Sequence, residues 1–257
     1  MSASNAQDQI ELHKALAPRY AYRYSFEFSR LFQEDWHAEM LRLLPPRSRR
    51  VLDLGCGTGF FLAELAALRP GAVGLDISHA MLRVSEQYVP GARLVTADAE
   101  RLPFVDRSFD AIFCKGSLHH TRDHVRFLSN CARVLEPDGV LIMSEPCNDN
   151  FLIRWARAVM YKVSPHFHPD DKGFMKDEIV ELMERAGFEL TYAGRYGVLA
   201  YLLAGFPDHL GVLKWVPGNA ALVRRMIALD RWVCSKRFLR ILSFQVVVAG
   251  KPRAPRA

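Results

Sequence analysis

Val51-Leu52-Asp53-Leu54-Gly55-Cys56-Gly57-Thr58-Gly59-Phe60 is an apolar run that breaks into a glycine turn. It reads as a buried parallel strand feeding a helix, because β-rich apolar residues stop at the glycines and Phe60-Phe61-Leu62-Ala63-Glu64-Leu65 resumes at helical spacing. Glycines at such a crossover let backbone approach a ligand in dihedrals that a Cβ would forbid. A dinucleotide-binding turn wants G-x-G-x-x-G. Here the third glycine comes one place early, at Gly59, and Phe60 fills the slot.

Outward from this turn the chain alternates strands and helices. Strands are expected at Val51–Leu54, Ala72–Leu75, Ala92–Thr96, Phe109–Cys114 and Val140–Ser144. Helices are expected at Phe60–Leu68, His79–Gln87 and Arg122–Leu135, with a turn at Pro137-Asp138-Gly139. That alternation argues for a parallel sheet covered on both faces. Before the core, Ile10–Leu44 reads as mainly helical, but Tyr20, Tyr22, Tyr24, Phe26 and Phe28 recur with a period of two and predict an extended segment there. After Pro146 come a predicted aromatic, basic helix (Phe151–Val163), a His/Pro/Asp loop, a helix at Lys176–Ala186 and a strand at Phe188–Tyr196. An apolar excursion, with a basic amphipathic helix at Asn219–Leu242, then precedes a last strand at Phe244–Ala249.

Half of the 257 residues are hydrophobic, enough for one large core and inconsistent with a disordered chain. Met1–Glu11 lacks the basic-then-apolar pattern of a secretory signal, and no stretch reaches the ~18 apolar residues of a membrane span. The five cysteines show no C-x-x-C or metal-ligand spacing, which fits reduced thiols in a cytosolic protein. Charge is uneven. Leu210–Ala257 carries ten Lys or Arg and one acid, Asp230, a net +9 against +6 for the whole chain. A basic quarter of this kind suits an anionic surface or partner, or simply a solubilising helix and tail.

Two carboxylates follow the second and third strands. Asp76, ending Val73-Gly74-Leu75-Asp76, is placed to accept from both ribose hydroxyls of an adenosine cofactor, and Ser78 to cap the next helix. Asp98, in Thr96-Ala97-Asp98-Ala99-Glu100, is placed to accept from the adenine amine while the Ala99 amide donates to a ring nitrogen. With Asp53-x-Gly-x-Gly-x-Gly, Ser108-Phe109-Asp110-Ala111 and Leu135-Glu136-Pro137-Asp138-Gly139, these stretches resemble, in order and interval, the motifs of the class I S-adenosylmethionine-dependent methyltransferases. The resemblance covers about Arg49–Glu145 strongly and Met175–Phe188 more weakly, and is closest to the small-molecule branch that includes the ubiquinone and menaquinone methyltransferases.

The resemblance implies an α/β, Rossmann-like fold: a seven-stranded, mostly parallel sheet whose last strand is antiparallel. A single domain is expected, with a helical lid (1–44), a cofactor-binding core (49–145) and a C-terminal half (146–257) carrying cap insertions at 148–173 and 197–240. It implies S-adenosylmethionine as cofactor. Asp53, Gly55, Gly57 and Gly59 would surround the methionine part, with Cys56 acting through its backbone. Asp76 and Ile77 would hold the ribose, Asp98 and Ala99 the adenine, and Lys115 would lie in the same surroundings.

The acceptor side is less fixed. His119 and His120, in Lys115-Gly116-Ser117-Leu118-His119-His120, follow the fourth strand, where ligands bind in open α/β sheets, and imidazole titrates near neutral pH. His119, ahead of His120, is the expected base or substrate contact. The competing reading has Leu-His-His opening and packing a helix. His166-Phe167-His168-Pro169-Asp170-Asp171 lacks a further ligand to complete a metal site, so no metal is expected. Pro146-Cys147 raises covalent thiolate attack without a neighbour in sequence to lower the thiol pKa. Tyr20, Tyr22 and Tyr24 suit either a lid or core packing.

Family members that methylate base amines carry an Asn/Asp-Pro-Pro-aromatic run after the fourth strand. Lys115-Gly116-Ser117-Leu118 stands there instead, which disfavours nucleic acid. The expected reaction is methyl transfer to oxygen or carbon of a hydrophobic or lipid-like metabolite. The basic C-terminal helix offers peripheral membrane contact as a second use. The alternatives are an RNA or protein methyltransferase using the basic face, or a cofactor-binding regulator without catalysis.

Overall fold

The structure, a computed structural model, describes residues 10, 11, 14, 22, 24–151, 153–155, 173–207 and 211–253. The glycine-flanked run forms β1 (Val51–Leu54), buried on both faces, and leads directly into α2 (Phe60–Leu68). α1 (Glu27–Leu41) precedes it. Then follow β2 (Val73–Asp76), α3 (His79–Tyr88), β3 (Arg93–Thr96), β4 (Phe109–Lys115), α4 (His124–Val134) and β5 (Leu135–Pro146). The second half adds α5 (Lys176–Arg185), β6 (Phe188–Tyr196), α6 (Leu199–Ala204), α7 (Asn219–Ser235) and β7 (Gln245–Pro252).

The seven strands form one sheet in the order β3-β2-β1-β4-β5-β7-β6. β1 to β5 pair in parallel, and β7 is wedged antiparallel between β5 and β6, as expected. Parallel neighbours end together, so β1, β2 and β4 bring Leu54, Asp76 and Lys115 to one edge, the carboxyl edge. Helices cover both faces. On one, α4 and α5 bury Phe127, Leu128, Ile179 and Met183 against the sheet. On the other, α1 and α2 bury Phe28, Phe32, Trp36, Met40, Leu62 and Leu65, with α6 and α7 closing over α1. At the opposite edge Arg50 bridges Asp110 (2.7 Å) and Glu136 (2.8 Å), tying the starts of β1, β4 and β5.

Three expectations change. Tyr22 is helical and Tyr24–Phe26 make a turn into α1, so the period-two aromatics do not form an extended segment. Phe28 and Phe32 are instead buried one helical turn apart. β5 starts at Leu135, not Val140. Its pairing jumps from Phe109↔Leu135 to Ala111↔Val140, so Glu136–Gly139 is absorbed as a bulge. The C-terminal helix ends at Ser235 rather than Leu242. Lys236 is extended (φ −91°, ψ 123°), and Ser235 Oγ donates to the Trp232 carbonyl (2.7 Å), a local bond that competes with the helix ladder. Leu239–Leu242 form a separate 3₁₀ turn. Of the predicted Phe151–Val163 helix, Phe151 and 153–155 are helical and the rest lies outside the described residues.

Candidate active site

The turn after β1 is built by three glycines with positive φ: Gly55 (75°), Gly57 (53°) and Gly59 (80°). Two of them are also close approaches. A Cβ on Gly55 would fall 1.9 Å from Ser117 Oγ in the loop after β4, and one on Gly59 would fall 2.1 Å from Ser85 Oγ of α3. At Gly57 a Cβ would meet no atom of the described residues within 4 Å, so this position faces the open side of the turn. The peptide groups of Cys56 are engaged: its amide, like that of Gly55, donates to the Leu75 carbonyl (3.0 Å), and its carbonyl accepts from Gly59 (2.9 Å).

Asp76, buried at the end of β2, braces this turn. Its Oδ2 accepts from the Gly57 amide (2.9 Å) and its Oδ1 from Ser78 (2.8 Å). A carboxylate has about four acceptor positions, so each oxygen keeps one lone pair for a ligand hydroxyl. Ile77 beside it is half-buried. Ser78 caps α3, accepting from the Met81 amide. Asp98 uses one oxygen to cap a short 3₁₀ turn, Ala99–Arg101, by accepting from Glu100 (2.8 Å).

Asp53, in the middle of the sheet, is 2% exposed, and its Oδ2 has no hydrogen-bond partner among the described residues. Burial drives its carboxyl up to about 7, against the pull of the Lys115 ammonium and with a push from Asp76. A buried carboxylate with an orphaned oxygen suits a cationic ligand group.

Lys115, at the end of β4, is held from α1. Its Nζ donates to Gln33 Oε1 (3.1 Å) and to His37 Nε2 (2.6 Å), and sits over the Trp36 ring at 4.9 Å. The other His37 nitrogen, Nδ1, donates to Glu64 Oε1 (2.6 Å) of α2. Burial first, then Lys115, pushes His37 well below its ordinary pKa, so the ring is neutral and relays between an ammonium and a carboxyl. Burial raises Glu64 to about 7 although Lys115 opposes it. Trp36 Nε1 donates to Ser144 Oγ on β5 (2.9 Å), fixing α1 across the sheet. Gln33, Trp36 and His37 escaped the sequence reading. They lie up to 82 residues from Lys115, and on α1 their only local signal is membership of a buried face.

His119 lies in a 3₁₀ turn, Leu118–His120, separate from α4, whose own N-cap is Asp123. Leu-His-His does open a short helical turn, with Leu118 fully buried in the core, and His119 is in addition tied to β5. Its Nδ1 pairs with Oε2 of the fully buried Glu145 (2.7 Å), whose Oε1 accepts from the Ser117 (3.0 Å) and Leu118 (2.9 Å) amides. A carboxylate at Nδ1 sets the Nδ1–H tautomer and leaves Nε2 as the basic nitrogen. The His120 ring lies against His119, centroids 4.0 Å apart and planes tilted by 39°. Glu145, read only as the boundary of the core, is the residue that orients this loop.

Tyr24 stacks on Phe60 at 4.1 Å beside the glycine turn, whereas Tyr22 is exposed and Tyr20 lies outside the described residues. His166–Asp171 also lies outside them. Cys147 is buried, and the structure gives it the cationic neighbour that the sequence did not show: Arg195 Nη1 is 3.1 Å from its Sγ.

Residues 52–143 match a family model described as a methyltransferase domain. The chain is 31% identical over 191 residues to the demethylmenaquinone methyltransferase of Thermotoga maritima, spanning 66% of this chain and 83% of that one. It is 43% identical over 109 residues to a malonyl-[acyl-carrier protein] O-methyltransferase of Methylococcus capsulatus, covering 40% of each. A crystal structure of a SAM-dependent methyltransferase from Thermotoga maritima, described as a possible histamine N-methyltransferase, superposes with a TM-score of 0.66. At 20% identity, over 94% of this chain and 98% of that one, it shows a shared fold. The glycine turn, the sheet order and the extent of the first match agree: this chain belongs to the class I S-adenosylmethionine-dependent methyltransferases.

Proposed function

We propose that this methyltransferase acts on oxygen or carbon of a hydrophobic small molecule or lipid-like metabolite, with His119 as the base. The observation that carries the reading is the Glu145–His119 pair, held by the loop that Gly55 meets at Ser117. The residues fit the cofactor: Gly57 faces open space, Asp76 keeps acceptor capacity, and Asp53 presents an orphaned buried oxygen. When bound, S-adenosylmethionine supplies a methyl activated on a sulfonium, so transfer needs chiefly alignment.

The chain's own residues do the rest. Asp76, beside Ile77, accepts from the ribose hydroxyls. Asp98 accepts from the adenine amine while the Ala99 amide donates to the ring. Asp53, Gly55, Gly57 and Gly59 surround the methionine part. The Cys56 amide, spent on Leu75, contributes by fixing the turn. Lys115 joins this end of the sheet to α1, and Tyr24 lies flat on Phe60, the first residue of α2 after the glycine turn. His119 Nε2 takes the proton that an acceptor hydroxyl or acidic carbon must lose, Glu145 stabilises the imidazolium, and His120 packs the ring in place. Support for the acceptor class comes from relatives named for demethylmenaquinone and malonyl-carrier substrates.

The test is calorimetric titration with S-adenosylmethionine and S-adenosylhomocysteine, followed by turnover on hydroxylated quinones, whose acceptor atom must lose a proton. Micromolar binding lost in Asp76→Ala, with turnover lost but binding kept in His119→Ala, is expected. Undiminished turnover in His119→Ala removes the base from the mechanism.

A further inference from the structure

Ser235-Lys236-Arg237-Phe238-Leu239-Arg240-Ile241-Leu242 is a run of eight consecutive exposed residues between α7 and β7. Four are large and apolar. Phe238 is 86% exposed and Ile241 46%. Three more are cations, and no Asp or Glu occurs anywhere from Arg231 to the last residue. The patch continues onto α7 through Trp232, 53% exposed, with Lys236 Nζ 5.6 Å from its ring centre. Apolar side chains at this density rarely face water without a partner. The break after Ser235 creates the feature: a continued helix would have spread these side chains around its axis.

The run also stands at the carboxyl edge of the sheet. Two residues after Leu242, Phe244 donates to Gly197 and accepts from the Cys147 amide, and Gln245 pairs with Pro146, the last residue of β5. Glu145, which holds His119, is the neighbouring residue on that strand.

We propose that this basic, aromatic strap docks the enzyme on an anionic lipid bilayer, with the carboxyl edge turned toward the surface. Charge complementarity identifies the occupant. Interleaved cations and protruding apolar side chains match a headgroup layer over hydrocarbon, which takes up side chains without a shaped groove. A second copy on the same face would set Lys236, Arg237 and Arg240 against their own kind. Among the described residues no helix is long and apolar enough to cross a membrane, so the contact is peripheral.

The test uses the full chain without cofactor or acceptor, so its outcome is separate from the methyl-acceptor reading. Cosedimentation is measured with vesicles of phosphatidylcholine alone and with about one-third phosphatidylglycerol. Binding is expected only to the anionic vesicles and falls with added salt. Lys236→Gln with Arg237→Gln and Arg240→Gln should weaken it about 100-fold, roughly five-fold per cation. Phe238→Ser with Ile241→Ser should weaken it about ten-fold or more. Both sets change exposed side chains, and unaltered melting temperatures verify the fold. Absence of binding to anionic vesicles overturns the proposal, as does binding that both variants retain. Sedimentation velocity without vesicles gives the rival result: a dimer dissolved by Phe238→Ser/Ile241→Ser, with no vesicle binding, assigns the strap to a second copy.

Discussion

Asp53→Asn should make the protein more stable at alkaline pH while weakening its hold on a cationic ligand. In the folded chain the Asp53 carboxyl titrates at about 7, against an ordinary 3.8. The folded state thus keeps a proton that the unfolded chain has released, and stability falls as pH rises from the lower value through the higher. The full difference amounts to ~4 kcal/mol above pH 7. Between about pH 5.5 and pH 8.5 the part that develops is ~2 kcal/mol. Other groups contribute in that window, His37 of the unfolded chain and Glu64 of the folded one among them, so the useful quantity is the difference between variant and wild type. Urea unfolding of both at the two pH values isolates it. The asparagine protein should gain ~2 kcal/mol on the wild type as pH is raised. Saturating S-adenosylmethionine should favour the wild type at the higher pH, because a sulfonium stabilises the carboxylate and does little for the amide. A variant-to-wild-type difference that stays level with pH would refute the assignment of a buried Asp53 whose carboxyl is raised to about 7.

Gly55→Ala combines a left-handed backbone penalty of ~1–2 kcal/mol with overpacking against Ser117 of ~1–3 kcal/mol. Adding Ser117→Gly should return only the second part in denaturant unfolding. Asp230→Ala orphans three amides that its carboxylate now caps, those of Val198, Leu199 and Ala200 at 2.7–3.0 Å, and should cost ~3 kcal/mol by thermal melting. Asp230→Asn should recover part of that loss. Trp36→Phe removes the indole donor to Ser144 and should cost ~1 kcal/mol, measured the same way. Glu145→Gln should lower kcat with little change in S-adenosylhomocysteine affinity, because it disturbs the His119 tautomer rather than the glycine turn.

Where the cause is local, the sequence was readable. β1 and α2 begin and end as expected because strand periodicity, three glycines and helical spacing meet within ten residues. Asp76 was legible for the same reason: the end of a strand beside a glycine turn is a fixed place in a βαβ unit. The misplaced boundaries share a different cause. Leu135 pairs with Phe109 although Pro137-Asp138-Gly139 signals a turn, because the bulge keeps the strand attached while the chain bends. α7 stops at Ser235 with no proline or glycine to announce it. The aromatic alternation near Tyr24 gave a period of two, yet Phe28 and Phe32 obey the helical period that α1 imposes once it packs on the sheet.

The candidate site divides along the same line, and the division has a physical basis. The sheet itself places Asp76 and Lys115 at the ends of β2 and β4, Asp53 one residue before the end of β1, and Asp98 and His119 in the loops that follow β3 and β4, so motif and interval point to all five. The groups that tune them come from elsewhere: Glu145 lies 26 residues beyond His119, His37 lies 78 before Lys115, and Arg195 lies 48 beyond Cys147. These pairings are made by the parallel neighbour strand β5, by the packing of a whole helix, or by the antiparallel return of β6, not by a local pattern. α1 shows this most directly. Its buried spacing, Phe28, Phe32, Trp36 and Met40, declares a helix with one face in the core. Nothing in that spacing says that the neighbouring Gln33 and His37 meet an ammonium at the end of β4. That contact makes α1 part of the site. Because Lys115 gives one donor to Gln33 and another to a neutral His37, the helix reads the charge at the carboxyl edge as well as covering it.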